Sequence, residues 1–243
     1  MSSLMRSHAP NRTEQGGAQA FETLAALVAT FPARGERDAV VAFAPGGAMK
    51  HSYARLADTI TRTALGLRAR GIGRGDRVAL VGPNSPEWIV AYFGIVTAGA
   101  AAVPLDPQGP AESTAAALAH CAPRALITTR AQRDALARLA GPGLRVWLLD
   151  GSGDESVSAL ATGAQRNELP SIAGADLASL LFTSGTTGTP KAVPLTHANL
   201  AANVGELQAA RLVGEDDRVL LPLPLHHTYP FTVGLLVPLA TGA

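Results

Sequence analysis

The chain has 243 residues with a formal net charge of +1; 47% of them are hydrophobic and 16% charged. That composition supplies a globular core. The near-neutral charge and scattered basic residues leave no nucleic-acid footprint, and a lone cysteine, Cys121, excludes a disulfide framework and a cysteine-rich metal site.

The opening stretch, MSSLMRSHAPNRTEQGG, is polar and lacks the apolar run of a secretory signal. Residues 1–16 are expected to form a disordered tail, and a cytoplasmic location fits the cysteine usage. Phe21, Leu24, Val28 and Phe31 recur at helical spacing, which predicts a helix over Ala18 to Phe31. Ala39 to Phe43 reads as a short strand. Ser52 can cap a helix with Leu56, Ile60, Ala64 and Leu67 on one face and Gly71 as its stop. Arg77 to Val81 is expected to be a buried strand. Ser85 followed by Pro86 starts another helix, because proline suits the first helical position, and Gly99 ends it. Trp88 and Tyr92, four apart on that helix, are expected to be core residues rather than ligand contacts.

Ala101 to Pro104, Ala125 to Thr129 and Arg145 to Leu149 read as strands, with helices over Ala111 to Cys121 and Ala131 to Ala140 between them. Strands alternating with helices of this length predict an α/β fold with a mainly parallel sheet flanked by helices on both faces. Cys121 is expected to be a small buried side chain. Asp150 to Ala175 is polar and reads as a surface connection. Leu177 to Thr183 is then a strand, Lys191 to Leu195 a returning strand, and Thr196 caps a helix carrying Leu200, Val204 and Leu207. Val219 to Leu223 is expected to be a further strand, followed by PLHHTYP. The apolar stretch Phe231 to Ala243 is too short for a membrane span and contains Pro238. It ends inside an apolar run, which predicts a fragment of a larger fold, prone to self-association through uncovered faces.

The segment Thr183 to Lys191 concentrates five hydroxyl side chains, two glycines and one lysine. Backbone amides in such a turn can converge on an anion, and Gly185 and Gly188 let the backbone approach it closely. Thr183, Ser184, Thr186, Thr187 and Thr189 add hydroxyl donors, and Lys191 a compact cation. A solvated turn is the competing reading. The Walker A loop fits poorly: Pro190 precedes the lysine and Ala192 follows it, so no hydroxyl stands where Mg²⁺ would be held.

FTSGTTGTPKAVPLTHANL, Phe182 to Leu200, resembles the phosphate-binding signature of the adenylate-forming superfamily, which includes acyl-CoA synthetases, luciferases and peptide-synthetase adenylation domains. The signature, roughly [ST]-[SG]-G-[ST]-T-G-x-P-K, is filled from Thr183 to Lys191 without a gap. Three further segments are similar to family landmarks in the same order: HSYARLAD from His51, Gly75 to Pro107, and LPLPLHHTYPF from Leu221. Ala192 and Pro230 depart from the family pattern, each standing where glycine is common.

The resemblance implies that residues 17–243 are an incomplete N-terminal AMP-binding domain. It implies attack of a carboxylate on the α-phosphate of ATP, giving an acyl-adenylate and pyrophosphate, and transfer of the acyl group to a thiol of CoA or of a carrier protein. Thr183, Ser184, Gly185, Thr186, Thr187, Gly188 and Lys191 would cradle the β- and γ-phosphates. His227 would sit at the mouth of the acyl pocket, with His226 in a place often held by an aromatic residue. The parts the family uses for adenine, ribose and Mg²⁺, and its mobile catalytic lysine, are expected downstream, so the chain itself would carry no catalytic residue or metal ligand. A fatty or other acyl substrate with CoA is the preferred reading. A peptide-synthetase-type adenylation domain and a non-catalytic nucleotide-binding or assembly module are the alternatives.

Overall fold

The computed structural model describes residues 21–141, 143–162, 168–183 and 191–243, with the backbone alone at residue 183. The expected tail, residues 1–16, lies outside the described residues. Six strands form one sheet in the order β6-β5-β3-β4-β7-β8. These are β3 (Arg77–Val81), β4 (Ala101–Leu105), β5 (Ala125–Thr128), β6 (Arg145–Leu148), β7 (Leu177–Thr183) and β8 (Lys191–Thr196). All neighbours are parallel except β7 and β8, which pair antiparallel. The mainly parallel α/β sheet expected from the sequence is therefore present.

Both faces of the sheet are covered. On β3, Val78 and Leu80 point into one core and Ala79 and Val81 into the other, as the two-residue strand period requires. The larger core is closed by α1 (Leu24–Thr30), α2 (Tyr53–Ala69), α3 (Pro86–Thr97), α6 (Val157–Thr162) and α7 (His197–Ala209). The smaller one lies beneath α4 (Ala111–Cys121) and α5 (Arg133–Ala140), where Cys121 is fully buried. Burial pushes the Cys121 thiol up to about 11, so it serves as an apolar filler. Trp88 and Tyr92 are core residues, stacked with ring centroids 5.6 Å apart. The Tyr92 hydroxyl meets Ser179 Oγ of β7 at 2.5 Å, which satisfies both buried groups across the α3–sheet interface.

Local signals set the helix ends. Ser52 accepts the Arg55 amide at 3.3 Å and Ser85 the Trp88 amide at 3.1 Å. Thr196 and Asn199 form a reciprocal capping box at the start of α7. Gly99 follows α3 at φ +87°, a conformation that disfavours any side chain.

Four sequence expectations are corrected. The first helix begins at Leu24, because Thr23 accepts the Ala26 amide and stops it there; a 3-10 turn (Phe31–Arg34) continues it. β1 (Asp38–Ala44) pairs antiparallel with an unexpected β2 (Gly47–Ser52), a polar ribbon without the alternation that marks a half-buried strand. The connection after β6 contains α6, whose Val157 and Leu160 are buried. It fits because Gly66 of α2 has no side chain: a Cβ there would lie 2.1 Å from the Leu160 carbonyl oxygen. Val219 to Leu223 forms no strand: β8 ends the sheet, no strand pairs with the segment, and Leu220 is 81% exposed. Beyond it, α8 (Thr228–Phe231) runs through a π-helical turn (Thr232–Leu236) into α9 (Val237–Thr241). Arg34 holds the end of this run, donating to the Leu239 and Ala240 carbonyls at 2.5 and 2.6 Å. Among the described residues, no helix is long and apolar enough to cross a membrane.

His197, the first residue of α7, is buried, and its Nδ1 accepts the Leu24 amide of α1 at 3.2 Å. The proton of the neutral ring is therefore on Nε2. Burial lowers its pKa to about 4, against a smaller upward pull from Asp176. Because this folded value lies below the unfolded one, the unfolded chain takes up the proton first as pH falls. Stability from the neutral ring is complete above about pH 6.5 and drains away down to about pH 4, by up to about 3 kcal/mol. Urea midpoints should fall across that window. His197→Asn, which keeps an acceptor at the same reach, should flatten the dependence.

Candidate functional site

In open α/β sheets the crevice for a ligand lies beyond the carboxyl ends of the strands, where the strand order reverses. Here β3 is followed by β4 on one side, and β5 then crosses to the other side of β3. The chain leaves β3 toward β4 but β5 toward β6, and leaves β4 toward β5 but β7 toward β8. The switch points are thus between β3 and β5 and between β4 and β7; the exits of β3 and β4, one at each, carry Asn84 and Asp106. β4 and β7 pair through Ala102 opposite Ser179. That parallel register brings the end of β7, Thr183, to the level of Asp106. Across the antiparallel pair, Thr183 stands opposite Lys191, the exposed first residue of β8.

The sheet therefore delivers both ends of the Ser/Thr/Gly-rich loop to its carboxyl edge. Ser184, Gly185, Thr186, Thr187, Gly188, Thr189 and Pro190 lie outside the described residues, as does the side chain of Thr183. Of the expected phosphate-binding set, the structure places the Thr183 backbone and Lys191.

The segment after Leu221 is tied to the same edge. Asn84 Nδ2 donates to the Leu223 carbonyl at 2.8 Å, and Asn84 Oδ1 accepts the Leu225 amide at 2.9 Å. One amide side chain thus clamps a turn about 140 positions away onto the exit of β3. Leu225 fills the core below, and the backbone turns at His227, whose carbonyl accepts the Phe231 amide at 3.1 Å to start α8.

The two histidines have opposite surroundings. His227 is exposed, whereas the His226 side chain is only 9% exposed. Their rings lie 4.2 Å apart between centroids. His226 Nε2 is 3.8 Å from Asp106 Oδ1 and has no hydrogen-bond partner. Burial lowers the His226 pKa most, the charge of His227 lowers it further, and Asp106 raises it. At neutral pH the ring is uncharged. Sequence reasoning did not single out Asn84 or Asp106, which look like ordinary turn residues in GPNSP and PLDP. Their position at the switch points is visible only once strand order is known.

An open α/β sheet with a hydroxyl-rich segment at its carboxyl edge is an architecture that commonly takes nucleotides. Residues 29–243 match the family model of AMP-binding enzymes, and the chain belongs to that family. It is similar to an oxalate–CoA ligase of Arabidopsis thaliana, 32% identical over 209 residues, covering 83% of this chain and 41% of that protein. A feruloyl-CoA synthase of an Amycolatopsis species is 36% identical over 194 residues, covering 79% of this chain and 37% of that protein. The crystal structure of ATP-bound MatB from Rhodopseudomonas palustris superposes with a TM-score of 0.76 at 31% identity, covering 90% of this chain and 44% of that one. The chain thus spans about two fifths of the length of these relatives, each of which is longer.

Replacing Asn84 by alanine should remove both hydrogen bonds to the turn, at a cost of about 1–2 kcal/mol. Hydrogen exchange should quicken over residues 222–229 and not over β3 to β5. Uniform exchange behaviour in the variant would show that the turn is held by other contacts.

Proposed function

We propose that this chain is the phosphate-gripping part of an ATP-dependent acid–thiol ligase. The carboxylate of an acyl substrate attacks the α-phosphorus of ATP. The bond to the bridging oxygen breaks, pyrophosphate leaves, and an acyl-adenylate forms. A thiol, of CoA or of a carrier protein, then takes the acyl group and AMP leaves. Membership of the AMP-binding enzyme family supports this reading, as do the acid–CoA ligases among the relatives. The observation that carries it is the pairing of Thr183 with Lys191 at the carboxyl edge beside the β4/β7 switch point.

In that position Thr183, Ser184, Gly185, Thr186, Thr187, Gly188 and Lys191 would hold the β- and γ-phosphates. Their amides, hydroxyls and ammonium meet charge that grows on the leaving pyrophosphate, so they act by positioning and electrostatics. Mg²⁺ would add charge neutralisation on the same oxygens; its ligands are expected from residues other than these. His227, exposed on the turn clamped by Asn84, would face the acyl-adenylate. A general-base role is not required of it, since a carboxylate nucleophile is already ionised at neutral pH. Because the chain spans about two fifths of its relatives, we expect it to bind the triphosphate without completing adenylation.

The expected result is ATP binding by the 243-residue chain, weakened about tenfold by Lys191→Ala through loss of one charge-assisted contact, without carboxylate-dependent pyrophosphate release. Turnover comparable to that of a longer relative would refute the partial role, and ATP affinity indifferent to Lys191 would refute the site. Leu220, Leu223 and Tyr229 expose 81%, 51% and 68% of their surface close to this edge. They support self-association, which should appear in sedimentation as weight-average mass rising with concentration.

A further inference from the structure

We propose that His226 is a positioning residue: its neutral ring donates the Nε2 proton to Asp106 and so ties the turn that carries His227 to the exit of β4. The motive is an imidazole that is nine-tenths buried, with an unpartnered Nε2 aimed at a carboxylate 3.8 Å away. A buried polar nitrogen without a partner is costly, and among the described residues Asp106 is the carboxylate within 4 Å of it. The separation exceeds a hydrogen bond by under 1 Å. A small approach of the turn to the end of β4 closes it.

Asp106 is already braced for this part. Its Oδ1 accepts the Gln108 amide at 2.8 Å, and its carbonyl accepts the Gly109 amide at 3.3 Å. The carboxylate therefore presents a fixed acceptor at the exit of β4. Asn84 holds the start of the same turn from β3, through Leu223 and Leu225. With His226 on Asp106 the turn is held from the exits of both β3 and β4. His227, next in sequence, then has its exposed ring set by its neighbour. The titratable groups that act on His226 are His227 on its own turn and Asp106 on the end of β4.

This inference rests on the ATP-dependent reading only for the second of two measurements. The first is ring-nitrogen NMR of the full chain. His226 should hold its proton on Nε2, and Asp106→Ala should abolish that preference and lower the His226 titration midpoint, with His197 unchanged as the internal control. The second is ATP affinity. His226→Phe, which keeps an aromatic ring and removes the donor, should weaken binding about tenfold, while His226→Gln, which keeps an N–H at similar reach, should stay within about threefold of the parent. A ring protonated on Nδ1 and indifferent to Asp106 overturns the proposal, as does normal affinity in His226→Phe. If the parent chain binds no ATP, the proposed function fails and the ring-nitrogen result alone decides the role of His226.

Discussion

The register of β3 between β4 and β5 governs the rest of the molecule. β3 pairs with both neighbours over nearly its whole length, Val78 facing Ala102 on one side and Ala125 on the other. Its side chains are buried on both faces, so it cannot slip by one residue without exchanging the two cores. Once β3 is fixed, the chain must leave toward β4 and return across to β5. The diverging exits at β3/β5 and β4/β7 follow from that path. Asn84 and Asp106 are the first polar side chains beyond β3 and β4, and so stand at those exits.

The two ends of this sheet are fastened differently. At the amino end, ion pairs hold turns: Arg74 with Asp176 at 2.5 Å and Arg124 with Asp76 at 3.7 Å. Both are exposed pairs of small energetic weight, and their part is to set the entry of β3, β5 and β7. At the carboxyl end, the fastening is by hydrogen bonds from Asn84, while Lys191 remains exposed at the start of β8. An exposed cation at the carboxyl edge of an α/β sheet is what the proposed phosphate-binding role requires of Lys191.

Much of this was readable from sequence, for physical reasons. α2, α3 and α7 each combine an apolar period with a capping or stopping residue, as at Ser52, Ser85, Gly99 and Thr196, so two independent signals agreed, and β3 and β7 are marked by their apolar runs. α6 was not legible: six residues with two large buried side chains are too short for a period, and its stability comes from Gly66 on another helix. β2 was missed because it is exposed along most of its length and has no buried face to write into the pattern. Val219 to Leu223 failed in the opposite sense. Its residues have the composition of a strand, but a strand needs a hydrogen-bonding neighbour, and composition does not supply one.

The site shows the same division at the scale of two residues. The segment from Thr183 to Lys191 stood out because phosphate binding, the proposed role, needs hydroxyls, glycines and a cation close together along the chain. The contrast between His226 and His227 did not, since identical side chains in adjacent positions carry no signal of which is buried. Leu225 sinks into the core just before them, and His226 follows it inward while His227 stays exposed. Among the described residues, the carboxylate within 4 Å of the inward ring is Asp106, just beyond β4 and more than a hundred residues earlier. Where local letters leave two readings open, burial against distant elements selects between them.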